Sequence, residues 1–176
     1  GNGAFDVATT KNRAYVSNVV DGTITVINTI TGDVLTPITL PSGVPAGSVA
    51  VKPDGTRLYV TNPTGVAGLP GKVSVINTAN DANTVIATIT VGRGARDAVL
   101  SPDAKTLYVT NDIDGTVSKI STVTNKVIGT VTNVGASPTL IAVSPDGKKI
   151  FVTNPVDNSV AVFSPTSKTG TIITGV

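Results

Sequence analysis

One four-residue string recurs four times along this chain, and that recurrence limits what it can fold into. The copies are Tyr15-Val16-Ser17-Asn18, Tyr59-Val60-Thr61-Asn62, Tyr108-Val109-Thr110-Asn111 and Phe151-Val152-Thr153-Asn154. Three of them follow a turn-forming string: Lys52-Pro53-Asp54-Gly55, Ser101-Pro102-Asp103-Ala104 and Ser144-Pro145-Asp146-Gly147. A β-branched run follows each copy, such as Thr23-Ile24-Thr25-Val26-Ile27-Asn28 or Val73-Ser74-Val75-Ile76-Asn77. A further run comes next, such as Val85-Ile86-Ala87-Thr88-Ile89-Thr90-Val91. Val, Ile, Thr and Tyr suit a pleated surface, and Pro, Asp, Gly and Asn suit the turns between strands. Each repeat therefore reads as four short strands.

A lone four-stranded sheet of this kind cannot bury both its faces. In the run from Thr23, Ile24 and Val26 point one way and Thr25 and Ile27 the other, so both faces carry apolar groups. Repeats of roughly 40–45 residues with four strands each solve this by radial, face-to-face packing. The expected fold is all-β: a β-propeller of four four-stranded antiparallel blades in a single domain. The blades fall approximately at residues 1–43, 44–92, 93–135 and 136–176. The combined Tyr-Val-Thr-Asn, Ser-Pro-Asp-Gly and Val-Gly elements resemble the YVTN-family β-propeller repeat of bacterial and archaeal surface and secreted proteins. The resemblance covers essentially the whole chain and implies a packing unit rather than a particular chemistry. The first blade departs most, with Thr9-Thr10-Lys11-Asn12-Arg13 in place of the Pro-Asp-Gly turn.

The ends of the sequence carry a second pattern. Val91-Gly92-Arg93-Gly94-Ala95-Arg96-Asp97 links the second blade to the third. Val176 followed by Gly1-Asn2-Gly3-Ala4-Phe5-Asp6 matches that linker at five of seven positions. Two geometries fit. The four blades close into a ring, or they form part of a larger propeller or tandem array, with copies joined head-to-tail.

Composition removes several function classes. The chain has 13 Lys and Arg against 11 acidic residues, with no basic cluster and few aromatics. Nucleic acid is therefore not an expected partner. No apolar run approaches the ~18 residues of a membrane span. All 11 acidic residues are Asp, and His, Cys, Met and Trp are absent. The usual general base and the commonest metal ligands are missing, and no nucleophile–base pair is visible. Some similar propellers are hydrolases or lactonases, but these rely on channel His or Glu residues with metal ligands. Lack of Cys and Met suits an oxidising exterior.

Candidate sites are few. The position opening the innermost strand holds Asp6, Ser48, Asp97 and Leu140. In a four-blade ring, Asp6 and Asp97 would face each other at the channel mouth, where hard carboxylate oxygens suit Ca²⁺. Capping of local turn N–H groups is the other reading of both. Arg93 and Arg96 lie in the same linker and are candidates for neutralising Asp97 or for partner contact. Asp112-Ile113-Asp114-Gly115 resembles a fragment of a calcium loop but aligns with the hairpin turns at Asp21-Gly22 and Asp157-Asn158. The segment Pro63–Gly71 is an insertion whose Val66 and Leu69 are candidate apolar contacts. Lys119 occupies a column otherwise held by Val26, Val75 and Val162, so it either snorkels or meets a partner's acidic group. No Asn-x-Ser/Thr acceptor with an allowed middle residue occurs, while exposed Thr leaves O-linked glycans open. The expected function is a non-enzymatic extracellular scaffold, a cell-surface, matrix or fibre component assembling with other copies or adjoining propeller units. The alternative is a ligand- or cation-binding propeller that uses its channel mouth.

Overall fold

The computed structural model describes residues 1–41, 43–63 and 68–176. Four four-stranded antiparallel sheets follow one another along the chain. The first holds β1 (Ala4–Thr9), β2 (Arg13–Asn18), β3 (Thr23–Asn28) and β4 (Val34–Thr39). The second holds β5 (Val49–Val51), β6 (Arg57–Asn62), β7 (Lys72–Asn77) and β8 (Thr84–Thr90). The third holds β9 (Ala95–Leu100), β10 (Thr106–Asn111), β11 (Thr116–Ser121) and β12 (Lys126–Val131). The fourth holds β13 (Ile141–Val143), β14 (Ile150–Asn154), β15 (Ser159–Phe163) and β16 (Thr171–Thr174). Strand order within each sheet equals chain order, so every blade is built from consecutive strands. A short 3₁₀ turn at Ala79–Asp81, between β7 and β8, has no counterpart in the sequence pattern.

The recurring string explains how the blades stack. In a strand, alternate side chains point to opposite faces. The aromatic residue of each string faces the next blade. Tyr15 lies in the cluster joining blades 1 and 2, Tyr59 in that joining blades 2 and 3, and Tyr108 in that joining blades 3 and 4. The residues on either side of it face backwards. Leu58 and Val60 pack against blade 1, Leu107 and Val109 against blade 2, and Ile150 and Val152 against blade 3. Tyr108 meets Phe163 of blade 4 edge to face, with ring centroids 6.4 Å apart.

The blades form an open arc of a larger propeller, so the closed four-blade ring is not the arrangement adopted. Three clusters join successive blades, and among the described residues none joins blade 4 to blade 1. The apolar columns tell the same story. Tyr15, Tyr59 and Tyr108 are buried, whereas their blade 4 counterpart Phe151 is 41% exposed. Val49, Ala98 and Ile141 are buried, whereas their blade 1 counterpart Val7 is 57% exposed. Each end blade keeps one apolar face without a neighbour. No helix among the described residues is long and apolar enough to cross a membrane.

The turn strings close β-turns, with Gly55 N–H donating to the Lys52 carbonyl and Ala104 and Gly147 N–H to Ser101 and Ser144. The Asp side chains brace the same turns. Asp54 accepts from the Thr56 N–H and hydroxyl, Asp103 from the Ser101 hydroxyl and Lys105 N–H, and Asp146 from the Ser144 hydroxyl and Lys148 N–H. These hydrogen bonds hold all three carboxyls below the usual carboxylate range. The last turn position needs positive φ, which Gly55 and Gly147 adopt freely and Ala104 adopts at φ 54.

Two outcomes follow. Ala104→Gly relieves a left-handed alanine that costs about 1–2 kcal/mol, partly offset by ~0.5–1 kcal/mol of added unfolded-state entropy. Calorimetry should show a melting temperature higher by about 1–4 °C. The turn carboxylates bind protons less readily folded than unfolded, so their stabilisation is complete above the unfolded pKa of about 4. It is lost as pH falls through the lower folded values. Denaturant midpoints should drop below about pH 4, and the drop should be shallower in a D54N/D103N/D146N variant.

Candidate functional site

The innermost strand of each blade carries the chemistry that lies nearest the propeller axis. In blades 1 and 3 that strand is bulged where it meets its partner. Ala4 pairs with Asn18 and Val7 with Val16, so Phe5 and Asp6 together oppose Ser17. Ala95 pairs with Asn111 and Ala98 with Val109, so Arg96 and Asp97 oppose Thr110. A bulge leaves an N–H outside the ladder and re-aims the side chain. The third residue of the recurring string repairs this. Asp6 N–H donates to Ser17 Oγ at 3.2 Å, Asp97 N–H to Thr110 Oγ1 at 3.0 Å and Leu140 N–H to Thr153 Oγ1 at 3.1 Å.

In blades 2 and 3 the hydroxyl at this position also ties neighbouring blades. Thr61 Oγ1 donates to the Arg96 carbonyl of blade 3 at 3.0 Å, and Thr110 Oγ1 to the Thr139 carbonyl of blade 4 at 2.9 Å. Sequence reasoning did not single these hydroxyl residues out. The available signal was that the third position of the string is always Ser or Thr.

Asp6 and Asp97 come together, though not across a channel as a four-blade ring would require. Blade 2 lies between their blades, and its Ser48 hydroxyl sits 2.7 Å from Asp6 Oδ2 and 2.7 Å from Asp97 Oδ1. A serine hydroxyl has one proton to donate, so the two carboxylates share it. Each carboxylate also spans two blades. Asp6 accepts the Val7 N–H of its own strand at 2.8 Å and the Val49 N–H of blade 2 at 2.9 Å. Asp97 accepts the Ala98 N–H of its own strand at 2.8 Å and the Ile141 N–H of blade 4 at 2.9 Å. The capping thus reaches beyond the local turn. Among the described residues, no group of three or more Asp side chains is gathered to hold a metal ion.

Arg93 and Arg96 do not neutralise Asp97. Arg93 Nε lies 2.6 Å from Asp114, and Arg96 lies 3.4 Å from Asp112, both in the hairpin turn of their own blade. That turn is a clamp for the linker. Asp21, Asp114 and Asp157 accept the N–H groups of Asn2, Arg93 and Ala136 at 2.6, 2.7 and 2.7 Å. The Arg93 N–H, and after it the Arg93 side chain, draw the Asp114 carboxyl below its usual range.

Lys119 is buried, and its ammonium donates to the Pro165 and Ser167 carbonyls of blade 4 at 3.1 and 3.0 Å. Burial, with a smaller push from Lys168, lowers its pKa. It ties blade 3 to blade 4 where the other columns hold valine. Val66 lies outside the described residues. Leu69 is half exposed and lines a groove of about 820 Å³ between blades 1 and 2, beside Val20, Leu40, Val44 and Lys72.

Asp97→Ala removes the acceptor of the Ile141 N–H, while the Ser48 hydroxyl keeps Asp6 as its acceptor. Leaving buried donors unpaired costs about 1–3 kcal/mol each, so urea unfolding should show a loss of at least ~1 kcal/mol. Arg93→Ala breaks a solvent-exposed pair and should cost under about 1 kcal/mol in the same assay.

Comparisons with known proteins agree with this architecture. The hydrazine synthase of Kuenenia stuttgartiensis superposes with a TM-score of 0.85 at 24% identity, over 98% of this chain and 49% of that one. A functionally unknown protein from Desulfotomaculum acetoxidans DSM 771 superposes with a TM-score of 0.82 at 18% identity, over 100% of this chain and 57% of that one. The chain thus spans about half the length of each, and at these identities the likeness concerns the fold. No curated protein matches the sequence. The model of the lactonase family, described as a 7-bladed β-propeller, matches residues 77–174, more than half of the chain. Blade pattern, open arc and family match converge: this chain belongs to the lactonase, seven-bladed β-propeller family.

Proposed function

We propose that the chain is a non-enzymatic scaffold and interaction module of the YVTN type. In this reading it works outside the cell, as a surface, matrix or fibre component that assembles through propeller units. The observation that carries the reading is the inner rim, whose Asp6 and Asp97 carboxylates are engaged in hydrogen bonds that tie one blade to the next.

The side-chain inventory supports a binding role over a catalytic one. His, Glu and Cys are absent from the whole sequence. The inner-rim carboxylates engage backbone N–H groups and the Ser48 hydroxyl, which ties blades together rather than activating a nucleophile. The absence of Cys and Met favours an oxidising setting.

Electron microscopy of the purified chain, with a parallel assay on a panel of γ- and δ-lactones, tests the reading. Multi-copy particles and no lactone hydrolysis above background are expected. Lactone turnover abolished by changing a rim residue would overturn it, as would discrete 17.7 kDa particles at every concentration.

A further inference from the structure

We infer that the cleft between blades 1 and 2, on the rim opposite the linkers, binds a small oxyanion, a carboxylate or phosphate group. Lys11 and the Nε–Nη2 edge of Arg13 are its anchors. The site lies away from the inner rim and stands apart from the scaffold reading. Its cavity of about 260 Å³ is walled by residues 10–13 of blade 1 and by two turns of blade 2, at 53–55 and around Thr78 to Asp81, with buried Tyr15 beside them. That is smaller than the roughly 300–1,000 Å³ of drug-sized sites, so only a small ligand fits.

Two departures from the repeat create the cleft. Blade 1 joins β1 to β2 through residues 10–12, a shorter connection than 52–56, 101–105 and 144–149 in the other blades. Between blades 3 and 4 a turn proline takes up the equivalent space. A Cβ on Gly147 would meet Pro102 at 3.4 Å, whereas one on Gly55 would meet only Thr10, at 3.7 Å. Blade 2 then joins β7 to β8 through residues 78–83, a longer connection than 29–33 in blade 1 and 122–125 in blade 3. It holds Asn80, Asp81 and Asn83 in the left-handed region, at φ 53, 57 and 46. Backbone held there by non-glycine residues concentrates at ligand clamps and switch segments.

The charges inside the cleft are poorly matched to one another. Arg13 presents a side-on edge of two donors, Nε–H and Nη2–H, shaped for both oxygens of one carboxylate or phosphate. Asp81 uses Nη2 alone, with both its oxygens at 3.3 Å. That is longer than the ~2.7–2.9 Å of a strong charge-assisted bond. The Asp81 side chain is 65% exposed, so the pair is weak. Nε is buried and has no partner within the chain. Nη1 donates to the Asn12 carbonyl at 3.0 Å, which fixes the plane of the guanidinium. Lys11 lines the same cavity, and its ammonium has no partner among the described residues. Nor do the side-chain amides of Asn12 and Asn80, which are donors for other oxygens of the bound molecule. Asp54, the second carboxylate of the cleft, is engaged by its own Thr56 N–H and hydroxyl at 2.9 and 2.7 Å. An entering oxyanion therefore meets two cations and competes with one loosely held carboxylate, Asp81.

Isothermal titration calorimetry of the 176-residue chain with inorganic phosphate, glucuronate and glucose tests the site, at low salt because exposed charges are screened. Both anions are expected to bind at one site per chain, and glucose is not. The tighter of the two anions tells a free phosphate from a carboxylate borne on a hydroxylated molecule. Arg13→Lys and Lys11→Gln should each weaken binding by about tenfold or more, the factor that loss of one charge-assisted hydrogen bond implies. Asp81→Asn should tighten it, because the competing carboxylate is gone. Absence of saturable heat with both anions overturns the inference. So does glucose binding as tight as that of glucuronate, anion binding that the Arg13 and Lys11 variants leave unchanged, or an Asp81→Asn variant that binds more weakly. Circular dichroism checks the strand signal of each variant. Lys11 and Asp81 are exposed turn residues, so their variants decide the outcome if Arg13→Lys fails to fold. None of these results bears on the scaffold reading.

Discussion

Face-to-face packing of one sheet on the next is the interaction on which everything else depends. Each sheet has two apolar faces and cannot fold stably in isolation. Burying a side chain such as Tyr59 or Leu107 on both sides of a blade is worth about 1.5–3 kcal/mol per residue. That gain is available only when a neighbour stands on each side. In blades 2 and 3 the second and third strands are buried on both faces, whereas in blades 1 and 4 they are buried on one. The open arc is a direct consequence of this arithmetic of faces.

Polar contacts fix how the faces meet. Apolar packing alone is tolerant of sliding. The bulge at Asp6 and Asp97, the Ser or Thr opposite it and the carboxylates that reach the next blade impose a register between sheets. Glycine completes the fit. A Cβ on Gly92 would come within 2.6 Å of the Asn111 side chain, and one on Gly135 within 2.1 Å of Asn154. The Val-Gly linker and the asparagine closing the recurring string are thus two halves of one contact. That is why they recur together.

Much of the architecture was legible in the sequence because strand residues and turn residues alternate on a fixed period. The Pro-Asp-Gly turns, the hairpin at Asp114-Gly115 and the consecutive-strand blades needed only local geometry. The inner rim was less legible. Asp6 and Asp97 were recognisable as a pair, but their meeting place on Ser48 depends on which blade lies between them. Arg93 and Arg96 read as candidates for neutralising Asp97 or for partner contact, whereas the direction of the linker sends both to the hairpin turn of their own blade. Lys119 stood out as a charge in a valine column. Its partners, two backbone carbonyls of blade 4, have no sequence signature because any residue carries a carbonyl.

The sequence by itself determined the repeat, the four strands of each blade and the apolar character of both blade faces, because these follow from local periodicity and turn chemistry. Only the tertiary structure decided that the blades curve as an arc, that three interfaces are filled and two faces bare, and which hydroxyl bridges which carboxylates. Those outcomes depend on the angle between successive sheets. That angle is set by side-chain volumes and hydrogen bonds between residues some 40–50 positions apart, a typical repeat spacing for blades of this kind.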